Sequence, residues 1–161
     1  LIISEFLMAK TLFDPAQREY QVARLRALRP ETPAAWGKLT APDLLPHLAD
    51  PIHVALGERE VPNTDQRFYK TRLGKWLVIY VVPKWPKAPP TAPEFDITQL
   101  GRRGTDFEND REELFEAIHR FAISSIPDHV PMHPVFGEIS WKTWGYLMNK
   151  HIEHHCRQFG L

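Results

Sequence analysis

Residues 140–161 read SWKTWGYLMNKHIEHHCRQFGL. Wound as a helix at about 100° per residue, Trp144, Leu147, Met148, His151, His155 and Gln158 share one face, with Phe159 at its edge. Two imidazoles therefore lie in a stripe that otherwise has the composition of a core. Histidines at i and i+4 on a helix can offer two nitrogens to one metal ion, as in H-E-x-x-H zinc sites. His151 and His155 have that spacing, whereas His154 is turned roughly 60° from His151 and is the poorer ligand. Ser140 supplies an N-cap for the helix.

Upstream of this stretch, residues 106–125 carry the cleanest amphipathic pattern in the chain. Phe107, Leu114, Ile118, Phe121 and Ala122 form one stripe, and His119 falls outside it. The intervening loop holds His129 and His133 among prolines; His133 is placed near the mouth of any pocket, although loop histidines of this kind commonly have no chemical role. Residues 67–82 space Tyr69, Leu73, Trp76 and Tyr80 as a helix would, although VIYVV alone would read as a strand. A helix ended by Pro83 is expected. Residues 83–104 then form a long proline-rich loop, with Pro83, Pro86, Pro89, Pro90 and Pro93, that reads equally as a lid or as a strap.

Nearer the start, Thr40 followed by Pro42 and Asp43 marks a helix N-terminus, and Leu44, His47, Pro51 and Val54 follow one stripe to a stop at Gly57. His47 thus points inward with the other two histidines, although taken alone a hydrogen-bonded core histidine is the commoner case. Pro51 offers no N–H to the carbonyl of His47, so a kink or break just after this histidine is expected. Asp43 and Asp50 flank the face of His47 and are candidates for a hydrogen-bond acceptor behind a ligand, a fourth ligand or a general base; exposed carboxylates are the plainer reading. A first helix begins at Asp14-Pro15 and runs to about Leu28, with Phe13, Ala16, Tyr20, Ala23 and Ala27 as its apolar side. Cys156 reads as a buried packing thiol.

Composition narrows the function classes. A chain of 161 residues fits one domain. Residues 1–7 are read as vector-derived or disordered sequence before a start at Met8, leaving 8–161 as the domain. The 20 Lys+Arg and 20 Asp+Glu balance, which argues against a phosphate-tracking nucleic-acid binder. One cysteine leaves no intrachain disulfide and fits a reducing compartment. No run is long enough to span a membrane, so neither a nucleic-acid nor a membrane partner is expected and a cytoplasmic location is. A homodimer stays open.

The combination of WGKLTAPDLLPH at 36–47, HPVFG at 133–137 and W-x-x-L-x-x-K-H-x-x-H-H-x-R-Q-F-G-L at the end resembles the DinB/YfiT-like superfamily of metal-dependent proteins, in particular a subgroup ending in this histidine-rich helix. The likeness covers nearly the whole chain from about Leu12. It implies an all-α, DinB-like four-helix bundle, here with an additional helical segment and the proline-rich loop, and a divalent metal held by His47, His151 and His155. Members include thiol-dependent S-transferases using bacillithiol or mycothiol and a maleylpyruvate isomerase. Three neutral imidazoles suit zinc or nickel and leave a coordination position for water or substrate. Such a metal can deprotonate a coordinated thiol or lower the pKa of water. The leading expectation is an enzyme that activates a low-molecular-weight thiol for S-transfer to a small electrophile. The alternatives are a hydrolase in which the metal activates water, and a non-enzymatic bundle that is metal-stabilised or holds a small ligand. A closed shell of four protein ligands would favour structure, and an open position facing a pocket would favour catalysis. Metal binding is expected to weaken below about pH 6, where free histidine protonates.

Overall fold

The computed structural model describes residues 10–62, 67–87, 93–96 and 98–161. The readings of residues 1–7 and of a start at Met8 lie outside these, as do residues 88–92 and 97 of the proline-rich loop. Among the described residues the chain is all-α. Its helices are α1 (Pro15–Arg26), α2 (Ala41–Ala55), α3 (Arg67–Lys70), α4 (Arg72–Trp76), α5 (Phe107–Ile123) and α6 (Trp141–Gln158). A π-helical turn, Leu77–Val81, continues from α4, and a 3-10 turn, Pro93–Phe95, interrupts the proline-rich loop. The strand-like pairing among these residues is one isolated bridge between His133 and Gly137.

The helix starts follow from side chains that satisfy the first free N–H groups. Asp14 Oδ1 accepts from Gln17 N at 2.8 Å, Thr40 Oγ1 from Asp43 N at 3.3 Å, Asp106 Oδ1 from Asn109 N at 3.0 Å and Ser140 Oγ from Thr143 N at 3.1 Å. At the far end of α2, Gly57 takes φ +73°, where a side chain would be strained. Its N–H reaches Val54 O at 3.0 Å while Glu58 N reaches His53 O at 2.8 Å, the paired bonds of a Schellman stop.

Helix α2 lies at the centre: thirteen of its fifteen residues are buried, so it must be covered on every side. It packs against α5 and α6 and is touched by the 3-10 turn, while α1 packs against α6. Trp144, Phe121, Leu114 and Ile118 are fully buried, and Phe13 stacks on Phe121 with ring centroids 5.1 Å apart. The helix runs through Pro46 and Pro51 without interruption, so of the kink or break expected after His47 the break does not occur.

Two other expectations are corrected. In α1 the buried residues are Gln21 and Leu25, with Leu28 just beyond, while Ala16, Tyr20, Ala23 and Ala27 face solvent. Gln17 and Gln21 both donate through Nε2 to Asn149 Oδ1 at 3.1 Å, so paired amides occupy the side of α1 that meets α6. Hydropathy periodicity cannot register a buried polar pair of this kind. The segment 67–82 is helical and not a strand, but it is broken at Thr71, whose Oγ1 accepts from Gly74 N at 3.0 Å and starts a new helix. Of its expected stripe, Leu73 and Trp76 are exposed.

Candidate metal centre

The seventh residue of α2 and two residues one turn apart on α6 converge. His47 Nε2 lies 3.1 Å from His151 Nε2 and 3.0 Å from His155 Nε2, and the latter two are 3.1 Å apart. Among the described residues these three form the one group of histidine, cysteine or carboxylate side chains placed to hold a metal ion. Four nitrogens at about 2.0–2.1 Å around a tetrahedral ion would lie roughly 3.3–3.4 Å from one another. The observed triangle is within a few tenths of an ångström of that.

The second ring nitrogens decide what the first can do. His47 Nδ1 is 2.8 Å from the backbone carbonyl of Phe95, which only accepts, so Nδ1 carries the proton and Nε2 a bare lone pair. His155 Nδ1 is 2.7 Å from Gln158 Oε1, and Gln158 Nε2 donates to Trp36 O at 2.7 Å, which fixes the amide with its oxygen toward the ring. His155 Nε2 is therefore bare as well. Two lone pairs facing each other at 3.0 Å repel unless a proton or a cation lies between them. Burial, first of all, holds all three rings below the usual imidazole range, and for His151 and His155 the neighbouring histidines push further in that direction. A proton is thus disfavoured, and the three nitrogens could instead hold a metal ion. Because these rings stay neutral below the usual range, protons compete for them only at a lower pH than the value near 6 expected from free histidine.

The Trp36-Gly37 motif acquires a physical role here. Gly37 sits at φ +79°, and a Cβ there would meet Gln158 Nε2 at 2.9 Å, so only glycine lets this loop approach the amide that orients His155.

The triad forms part of the wall of a cavity of about 600 Å³. Its other walls are largely apolar and include Val78, Val82, Trp85, Phe136, Leu147 and Met148. The proline-rich loop contributes Trp85, whose ring is 6.2 Å from that of His151 and 6.0 Å from that of His154. Asp96, which no periodic pattern in the sequence singles out, is a carboxylate on this wall. Hydrogen bonds from the Thr98 and Gln99 side chains hold it below the usual carboxylate range.

Asp43 and Asp50 are placed elsewhere. Both are buried, against the expectation of exposed carboxylates, and neither lines the cavity. Asp43 accepts from Thr40 Oγ1 at 2.8 Å, Arg103 Nη1 at 3.0 Å and Gly104 N at 3.0 Å. Asp50 is ion-paired with Arg59 and with Arg102, and Arg102 also forks onto Glu113 at 2.7 and 2.9 Å. Burial of Asp without exposure is accounted for by these pairings.

His133 is buried beside the cavity, where its Nδ1 accepts from Val135 N at 3.1 Å and Phe136 N at 3.2 Å and so folds the turn. Burial pulls its pKa down to about 3. His154 is buried with Nδ1 unpaired and its pKa pulled down to about 4, chiefly by burial. Cys156 is fully buried and its thiol is pushed up to about 12, again by burial, which fits a packing role. His119 and His129 are exposed. Lys150, unnoticed in sequence beside the histidines, donates to Val78 O, Ile79 O and Val82 O at 3.1, 2.8 and 2.5 Å and ties α6 to the end of the π turn.

No protein-family model matches the chain, no curated protein matches it, and no solved structure matches it.

Proposed function

We propose that this chain is a divalent-metal enzyme with a DinB-like four-helix bundle built from α1, α2, α5 and α6, and that it activates a small thiol for transfer to an apolar electrophile. The observation that carries the reading is the meeting of three Nε2 atoms, two of them bare by hydrogen bonding, at the wall of an apolar cavity. A zinc or nickel ion held by His47, His151 and His155 would supply Lewis acidity and lower the pKa of a coordinated thiol. Phe95 O and Gln158 fix the tautomers of His47 and His155, so these ligands need no proton rearrangement to bind an ion. The apolar walls exclude water from the reacting groups and favour an apolar substrate over a charged one. Three protein ligands and a cavity beside them favour catalysis over a purely structural ion.

The test is a thiol-conjugation panel with and without added zinc or nickel, on protein purified without chelator or metal-affinity resin. Metal-dependent consumption of a thiol and an apolar electrophile, abolished in His151→Ala, is the expected result. Absence of turnover with every thiol by metal-loaded protein would contradict the transferase reading, and metal-dependent ester or amide cleavage in its place would replace it with hydrolysis.

A further inference from the structure

Between Arg67 and Lys87 the chain carries six Lys or Arg residues, Arg67, Lys70, Arg72, Lys75, Lys84 and Lys87, and no Asp or Glu. In a molecule whose charges otherwise balance, this is a local concentration of one sign. The same segment exposes large apolar side chains: Leu73 is 66% exposed, Trp76 55%, Phe68 52%, Val81 43% and Leu77 37%. Leu73, Trp76 and Leu77 stand at i, i+3 and i+4 and so share one side of the α4 and π-turn segment, with Val81 a turn further on. The opposite side is committed to the interior, since Ile79 is buried and Val78 and Val82 line the cavity. The segment is therefore apolar on its outward side as well as its inward one, unlike an ordinary surface helix, and leaves aliphatic and indole groups facing water in a stretch whose charged residues are all cations.

We infer that residues 67–87 form a docking surface for an anionic lipid bilayer, on which the protein lies without crossing it. A tryptophan and aliphatic residues flanked by Lys and Arg are the composition of a helix seated in the headgroup region, where the apolar side enters the acyl boundary and the cations meet anionic lipid. Charge complementarity selects this occupant. A second copy presenting the same surface would set the exposed cations Arg67, Arg72 and Lys84 against their own likeness. A nucleic acid would use the cations but leave Leu73, Leu77 and Val81 without a partner. Glu138, whose backbone carbonyl accepts from Lys75 Nζ at 2.6 Å, is an acidic residue beside the segment. The sequence, with no run long enough to span a bilayer, gives no reason to expect a membrane partner; among the described residues no helix is long and apolar enough to cross a membrane, and interfacial seating requires none.

The experiment is co-sedimentation of the full chain with vesicles of phosphatidylcholine alone and with roughly one third phosphatidylserine, at about 0.1 M salt, where charges still attract over about 10 Å. Binding to the anionic vesicles is expected, at least about tenfold weaker on neutral ones, and reduced by at least about tenfold both in Leu73→Ser/Trp76→Ser and in Arg72→Glu/Lys84→Glu. All four substituted side chains lie at exposed positions, and unchanged circular dichroism of the variants keeps a loss of binding from being a loss of fold. Three outcomes would overturn the inference: no binding to anionic vesicles, binding that both variants retain, or a dimer in sedimentation velocity that Leu73→Ser/Trp76→Ser dissociates. None of these readouts involves metal or turnover, so the result stands apart from the proposed activity.

Discussion

His47 and His155 each have their Nδ1 proton committed to an acceptor, Phe95 O in one case and Gln158 Oε1 in the other, and that commitment aims the bare Nε2 at the shared point. Gln158→Leu removes the acceptor while keeping the residue's size, and should weaken metal binding by about 10–100-fold with the ligand set intact. Gly37→Ala should act through the same amide. Isothermal titration of zinc into each apo variant checks both, and unchanged affinity in Gln158→Leu would mean that His155 does not bind through Nε2. At this scale the three histidines were legible because their inward direction follows from helical periodicity, which depends only on spacing. Asp43 and Asp50 were not, because their burial depends on Arg59, Arg102 and Arg103, which come from other parts of the chain. Asp96 lies on a loop, where no period points at a cavity.

Helix α6 meets the N-terminal segment so closely at Gly145 that Leu12 N donates to its carbonyl at 3.2 Å. Helix propensity alone would make Gly145→Ala stabilising by about 1 kcal/mol. A Cβ there would meet the Phe13 ring at 2.2 Å and Thr11 Oγ1 at 2.5 Å, and that ring is held by Phe121 and Trp141, so it has no room to yield. Overpacking should therefore win: a net loss of about 1–3 kcal/mol, or roughly 2–12 °C in melting temperature, is expected in a thermal melt, and a raised Tm would contradict this packing. Element starts were readable because caps are local chemistry. The buried side of α1 was misassigned because its decisive contact, two glutamines on Asn149, spans more than a hundred residues of chain. The break at Thr71 was missed for a different reason: threonine both fits a helix weakly and caps a new one, and the hydropathy pattern runs straight through it.

Across the molecule, the buried histidines make stability depend on pH in a definite direction. The unfolded chain protonates His133 near its ordinary value of about 6.5, whereas the folded one does so at about 3. Below about pH 6.5 the unfolded state binds the extra proton, so the contribution is complete above that value and is lost as pH falls toward 3. At pH 5.5 this one residue costs on the order of 1 kcal/mol, and the three triad histidines and His154 act in the same direction. The apo protein should melt lower at pH 5.5 than at pH 7.5; equal melting temperatures would show that these rings are not held neutral. An ion bridging α2 and α6 adds RT ln(1 + [L]/Kd), about 2.7 kcal/mol at a hundredfold excess over Kd, or roughly 5–11 °C. Because burial holds the folded rings below the usual imidazole range, that increment should fade at a lower pH than free histidine ligands would give. The all-α class and the convergence of residues 47, 151 and 155 could be inferred from the sequence. The exposed apolar side of 67–87 could not, since the same side chains serve equally well in a core until the fold shows which of them are left outside.

Whether His47, His151 and His155 hold one divalent ion together can be read from elemental analysis of the bound metal. Wild-type protein and the variants His47→Ala, His119→Ala and His129→Ala would be purified without chelator or metal-affinity resin, dialysed against zinc or nickel, freed of excess ion and measured for bound metal. About one ion per chain is expected in the wild type, His119→Ala and His129→Ala, and a loss of most of it in His47→Ala. Stoichiometric metal in His47→Ala, or none in the wild type, would contradict it.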